Sequence, residues 1–451
     1  MKKNFNYTIL LSFLLIVIVF NLLNYNLQLL ALPFFIIWLL KTIYETNNGF
    51  GIRNIFMIFF GLQYLLGPFL SYKFDNDSVF AMVIPSNNYF SFAFPAILLI
   101  GLGLFYQTKN QNEDLVFMNK KFDYSKIDNS LFEKLLLISI VTEMASFQVP
   151  DFLEFFLYFI YSLKYIYVCY ILISKKKINY FLFFIPILIL LAKALQSGMF
   201  HDLLTWAIFF GICLAIKVQA NFVQKIIAII GFIFLVTIIQ LAKQNFRAVT
   251  WGTTNNESRI KLFTTTAESE LEDLNKNTLI DNIVRINQGW ITARTMNHIP
   301  NRFDHVGFEL ISKYLEAAFL PRFFAPDKLK AGDRALFAKY TGVYLGVGTS
   351  MGIGILGDAW ASFGYFGGLV MLFCFGLLLN YSLKYFVFLI NKFPLVYFLL
   401  PIVYYYPIRP DCETQTSIGH LVKTAFLVSI IAFYFMKKVN IKKVSILAPS
   451  I

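Results

Sequence analysis

The chain has 451 residues, of which 58% are hydrophobic and only 14% charged. No soluble domain of this size buries so large an apolar fraction, which excludes a water-soluble protein and points to many membrane crossings. The net charge of +13 would suggest nucleic acid in a soluble protein, but here most of the lysine flanks apolar runs. Lysine so placed sets orientation and builds no polyanion groove.

In chain order, apolar runs fall at 7–23, 27–40, 55–70, 90–106, 131–147, 152–173, 180–195, 203–216, 226–241, 369–386, 395–406 and 421–436. They predict an all-α polytopic membrane protein with about 12 transmembrane helices. The run at 131–147 is interrupted by Glu143, and that at 203–216 is flanked by Asp202. The first run lacks a small-residue cleavage site and is followed at once by a second, so it reads as a retained helix. With twelve crossings, Lys2, Lys3, Lys41, Lys120, Lys121, Lys175, Lys176, Lys177, Lys217, Lys225, Lys384, Lys392, Lys437 and Lys438 all fall on one side. Both termini are then cytoplasmic, and residues 244–347 form one large external loop inserted in a single integral domain, 1–451.

Arginine is distributed differently. Arg53 is cytoplasmic in this topology, whereas Arg247, Arg259, Arg285, Arg294, Arg302, Arg322, Arg334 and Arg409 are external. Guanidinium forks suit carboxylate or phosphate, so the set points to an anionic ligand. Salt bridging within the loop is the alternative, since Glu257, Glu268, Glu270, Glu272, Asp273, Asp281, Asp304, Glu309 and Glu316 share it. Apolar residues recur at helical spacing over 279–296 and 305–319, predicting amphipathic helices in the loop that lie on the membrane or pack against the bundle.

Three clusters could carry chemistry. Gln240, Lys243 and Arg247 share a helical face where a helix leaves the membrane; they could grasp an anion or simply snorkel to water. The Gly-punctuated stretch 320–368 holds Arg322, Lys328, Arg334, Thr349, Ser350 and Asp358, and a carboxylate so close to an apolar run calls for a partner or a function. The turn from Tyr404 to His420 packs Arg409, Asp411, Glu413 and His420 into a short span. The general-base candidates are Asp358, Asp411, Glu413 and His420. No HxxxH or CxxC spacing occurs among the histidines and cysteines, so neither a metal centre nor a disulfide framework is expected. No P-loop or HExxH motif occurs, and no cofactor is expected.

These features are similar to those of the Wzy-type O-antigen polymerases, the oligosaccharide repeat-unit polymerases of bacterial envelopes. The resemblance rests on QLAKQNFR at 240–247, Pro321-Arg322 with Pro326-Asp327-Lys328, and Thr349-Ser350. It continues in Gly357-Asp358-Ala359-Trp360, Phe363-Gly364, Gly367-Gly368 and the Arg409-Pro410-Asp411 turn, and the multi-span plan covers nearly the whole chain. Many members carry Glu where this chain has Asp358. The resemblance implies a GT-C-like bundle in the bacterial inner membrane with a periplasmic loop. It implies metal-independent glycosyl transfer between undecaprenyl-pyrophosphate-linked oligosaccharides. A flippase and a chain-length regulator would be its partners, the lipid bilayer its medium, and nucleic acid would have no part. Arg247, Arg322 and Arg409 would then clamp the pyrophosphate, helped by Gln240, Lys243, Lys328 and Arg334, while Trp360 would wall the sugar. The alternatives are a lipid-linked oligosaccharide flippase or transporter, which would show related halves and midplane charges, and an O-antigen ligase with the same donor.

Overall fold

A computed structural model describes residues 5–74, 78, 80–108, 124, 129–145, 149–174, 176–252, 259–272, 280, 283, 286–320, 324–325, 327–346 and 348–438. Among them every regular element is helical. Ten helices are long and apolar enough to cross a membrane, and they coincide with ten of the twelve apolar runs. The other two runs are shorter elements. Asn129–Met144 has 16 residues and carries Glu143, while Pro394–Val403 joins a 3-10 turn to a single α turn, with proline at the start of each. Proline there fixes φ and withholds an amide, which suits a helix start and prevents a long continuous span.

The described residues divide into two compact units. The first comprises 1–42, 51–122 and 286–451. Its centre is the packing of Ser86–Leu104 against Gly354–Lys392. Two glycines allow that approach: a Cβ on Gly103 would overlap the Phe373 carbonyl, and one on Gly376 the Ile100 carbonyl. Helices in lipid gain little from apolar burial and associate through such close backbone packing. Gly376→Val is therefore expected to destabilise the protein by about 1–3 kcal/mol, as overpacking does. Thermal unfolding in detergent would show it as a lowered midpoint, whereas Gly231→Ala, with nothing within 4 Å of the added carbon, should leave the midpoint unchanged. Arg53 is buried in this unit, donating to the Leu104 carbonyl at 3.0 Å and to Asn380 Oδ1 at 2.9 Å. Asn380 in turn donates to the Tyr106 carbonyl at 2.7 Å, so one guanidinium ties three helical segments together.

Gly354–Lys392 is broken at Gly364, whose φ of 65° and ψ of −151° only glycine adopts readily. The break releases the carbonyls of Ala361 and Ser362 from helical bonding. The amides of Val306 (3.1 Å) and Gly307 (2.8 Å) take them up. The arm before the kink, which carries Asp358 and Trp360, is thereby fixed to the entry of the Phe308–Phe319 helix.

Phe308–Phe319 buries Leu310, Tyr314, Ala317 and Ala318, whereas Phe308 and Leu315 are exposed. Packing decides this. Ala317 and Ala318 present a small surface, and Gly419 of the Thr414–Lys438 helix comes so near that a Cβ there would lie 3.5 Å from the Ala318 backbone. Small residues allow that crossing; a phenylalanine would not.

The second unit comprises 43–50 and 123–285. Glu143 pairs at 2.9 Å with Lys164, which is buried, and also with Lys193. This answers why a carboxylate interrupts an apolar run: ionisable groups among membrane helices persist where they are paired. Phe222–Gly252 runs well beyond the apolar run ending at 241, and Phe200, Phe246 and Leu262 pack around its far end. A further helix spans Arg259–Glu272.

Candidate functional site

The first unit contains a polar cavity of about 320 Å³. Four separate stretches build it: the start of Gly289–His298 with Gln288 and Ile291, the loop at Gly332, the loop at Ser350 and Met351, and the turn Arg409–Glu413. Each stretch is anchored. The Gln288 amide donates to the Gln63 carbonyl at 3.1 Å, and the Tyr64 hydroxyl to the Pro410 carbonyl at 2.8 Å. Gly332 has a φ of 66°, a left-handed conformation that turns its amide onto Glu413 Oε1 at 2.9 Å. Its carbonyl accepts from Ser350 Oγ at 3.2 Å.

Glu413 is buried at 4% exposure and lines the cavity. Oε1 accepts from Gly332 and, at 3.4 Å, from the Thr416 hydroxyl, while Oε2 accepts no hydrogen bond among the described residues. Burial, then the neighbouring charge of Asp358, pushes its carboxyl up to about 7. The group therefore exchanges its proton close to neutrality, as an acid–base catalyst must.

Arg409 holds a carboxylate with one side of its fork. Nη2 and Nε reach Asp411 at 2.6 and 3.2 Å, and the guanidinium lies over the Tyr405 and Tyr406 rings. Nη1 is buried and has no hydrogen-bond partner among the described residues. Burial alone would lower its affinity for the proton; Asp411 more than offsets this and the group stays charged. A buried, charged donor left unsatisfied costs about 1–3 kcal/mol, which a ligand oxygen would recover. Cys412 also lines the cavity, but burial, then Asp411, raises its thiol far above the usual range, so it is no thiolate nucleophile at neutral pH.

Asp358 sits behind this surface. It is fully buried and does not line the cavity; Oδ1 accepts from the Tyr314 hydroxyl at 2.7 Å and Oδ2 from the Thr414 amide at 2.8 Å. Burial, then Asp358, raises the Tyr314 phenol well above its normal range, so the phenol is the donor. Asp358 thus caps the backbone of the residue that follows Glu413 and supplies charge to it. His420 is likewise buried, with Nε2 2.7 Å from the Ile402 carbonyl and its ring against Tyr406, and does not line the cavity.

The other candidates are placed as follows. Lys328 donates to the carbonyls of Ala317 (3.1 Å) and Leu320 (2.5 Å) at the end of Phe308–Phe319, and Arg334 reaches the Gly346 carbonyl at 3.3 Å. Trp360 donates to the Ile299 carbonyl at 2.9 Å and packs edge-on against Phe92, so its indole supports a neighbouring loop. Gln240, Lys243 and Arg247 belong to the second unit, where Arg247 Nε donates to the Gly198 carbonyl at 2.7 Å. Arg285 and Arg322 lie outside the described residues. Sequence reasoning missed Gln288, Gly332 and Met351, since nothing in their local pattern tells that they meet Arg409. Among the described residues no group of three or more His, Cys, Asp or Glu side chains is placed to hold a metal ion.

Among the described residues, fold and site describe an all-helical, multi-pass membrane protein with a polar cavity lined by both a carboxyl group and an arginine. The chain belongs to a family described as a domain of unknown function (DUF8712), which matches residues 27–384. The Arg409–Glu413 turn follows that matched region. No curated protein and no solved structure matches the chain.

Proposed function

We propose that the protein polymerises polyprenyl-pyrophosphate-linked oligosaccharide repeat units in the bacterial inner membrane, with both termini cytoplasmic and the cavity facing the periplasm. What supports this most directly is the pairing of Arg409 Nη1, a buried donor without a partner among the described residues, with Glu413 in the same cavity. The resemblance to Wzy-type polymerases supports it independently. In the proposed step Glu413 accepts the proton of an acceptor sugar hydroxyl. The hydroxyl oxygen bonds to the anomeric carbon of the donor as its bond to the pyrophosphate oxygen breaks. The pyrophosphate leaves with the electron pair, and Arg409 Nη1 takes part of the charge developing on it.

Asp358 acts in this scheme by positioning. Asp358→Asn removes a negative charge that raises Glu413, so the acid side of the pH–rate profile should move to lower pH. A profile that kept its midpoint near pH 7 would show that Asp358 does not tune the base. In cells, deletion of the gene should abolish the long-chain glycan ladder on gels while a single repeat unit is still transferred. Loss of every repeat unit would point to a flippase or ligase.

A further inference from the structure

The Phe308–Phe319 helix has three distinct faces. At roughly 100° per residue, Leu310, Tyr314, Ala317 and Ala318 fall together, and all are buried. Glu309, Lys313 and Glu316 form a second, exposed face, on which Lys313 pairs with Glu309 at 2.6 Å. Phe308, Leu315 and Phe319 form the third, at i, i+7 and i+11, and they are 77%, 41% and 59% exposed. A lone exposed leucine calls for no explanation; an apolar stripe with a phenylalanine at each end of the helix does.

The stripe continues onto a membrane span. The Phe308 ring meets Phe363 edge-on, with centroids 4.9 Å apart, one residue before the Gly364 kink. Beyond the kink, Phe366 and Val370 are exposed on the Gly354–Lys392 helix. The apolar run 369–386 of that helix covers about 27 Å at 1.5 Å per residue, close to the hydrocarbon thickness of a bilayer. Phe366 then lies about 4.5 Å ahead of the hydrocarbon, in the layer where aromatic side chains concentrate. Phe363, and with it Phe308, belongs at the same level.

We propose that Phe308–Phe319 is an interfacial helix, lying flat with Phe308, Leu315 and Phe319 in the acyl boundary of the leaflet that receives the kinked end of Gly354–Lys392. Such a helix needs one side for acyl chains and a charged side for water, and this one has both. Glu309 and Lys313 neutralise each other and Glu316 adds negative charge, so apolar burial, not attraction to anionic lipid, supplies the contact. Continuity identifies the occupant as lipid. A protein covering Phe308 would also have to cover the side of the span on which Phe366 and Val370 are exposed. The buried face of the same helix carries Tyr314, which donates to Asp358. The leaflet thus supports from one side the helix that holds Asp358 from the other. The lipid contact does not depend on the proposed glycosyl transfer.

The test is a spin-label depth measurement on the full-length protein in phosphatidylcholine nanodiscs. Cys374→Ala supplies the background, because Cys374 is exposed and the other three cysteines are buried. Single labels are placed on the stripe through Phe308→Cys, Leu315→Cys and Phe319→Cys, and on the charged face through Glu309→Cys and Lys313→Cys. Val370→Cys serves as the lipid reference. All are exposed positions, and each labelled protein is required to keep the parent's thermal unfolding midpoint. Collisions with oxygen, which partitions into lipid, should exceed those with a water-soluble nickel chelate at the three stripe positions and at Val370. At Glu309 and Lys313 the ratio should reverse. Excess nickel collisions at Leu315 and Phe319 would put the stripe in water and overturn the proposal. Labels there shielded from both reagents would show a protein cover and overturn it equally. Lipid contact at Phe308 alone would make that residue the edge of the span and rule out a helix lying flat. In each of those cases the proposed function stands, since chain elongation is measured separately.

Discussion

Replacing Arg409 with glutamine is expected to lower glycosyl transfer by about 10²–10³-fold, the loss that follows removal of one preorganised donor to a developing anion. The reason lies in how its three nitrogens are used. Nε and Nη2 are committed to Asp411, which fixes the plane of the fork, and the Tyr405 and Tyr406 rings lie beneath it. Nη1 has no partner among the described residues, and the proposed step gives it the leaving pyrophosphate. Lysine keeps the charge but cannot hold Asp411 at two points while presenting a third donor, so Arg409→Lys should lose nearly as much. Asp411→Asn should lose less, because the guanidinium stays and only its alignment loosens. The check is initial rate with a lipid-linked oligosaccharide, measured on protein whose thermal unfolding midpoint matches the parent. A folded Arg409→Gln variant within a fewfold of the parent rate would remove Arg409 from the mechanism.

The second large effect concerns Glu413. Glu413→Gln should lower the rate by about 10²–10⁴-fold, the range for loss of a positioned general base. Its pH dependence carries more information than its size. Burial and Asp358 hold the carboxyl protonated up to about pH 7, and the base is the ionised form. The parent rate should therefore rise as pH increases through about 7 and level off above it. In the glutamine variant the residual rate should lose that limb. A limb that persists in Glu413→Gln would assign the titration to another group. Asp411 and His420 would be next to test, although His420 is buried and lines no part of the cavity.

How much of this was legible in the sequence depends on the range over which each feature is determined. Membrane helices are local and compositional, and ten of the twelve apolar runs correspond to helices of spanning length. Of the two shorter ones, 131–147 was marked in advance by Glu143 and 395–406 was not, while 203–216, marked by Asp202, is of spanning length. Crowded ionisable groups at 409–413 were visible because charge is costly next to apolar helices, whatever the fold. Their surroundings were not visible. Gly332 meets Glu413 across 81 residues, and Tyr314 meets Asp358 across 44, through packing that leaves no periodic trace. The side on which Phe308–Phe319 packs was left open, between membrane and bundle, for a related reason. A helix with apolar residues on two sides buries whichever one its neighbour can approach, and Ala317 and Ala318 allow Gly419 closest.

One measurement bears most directly on the central proposal: incubation of the purified protein, in nanodiscs, with an intact polyprenyl-pyrophosphate-linked oligosaccharide from its own host, followed by gel separation of the products. The expected result is a ladder spaced by one repeat unit, with release of polyprenyl pyrophosphate, that disappears in Arg409→Gln and Glu413→Gln proteins of unaltered thermal stability. Absence of any elongation by the folded parent protein on the intact substrate, or a ladder undiminished in both variants, would contradict it.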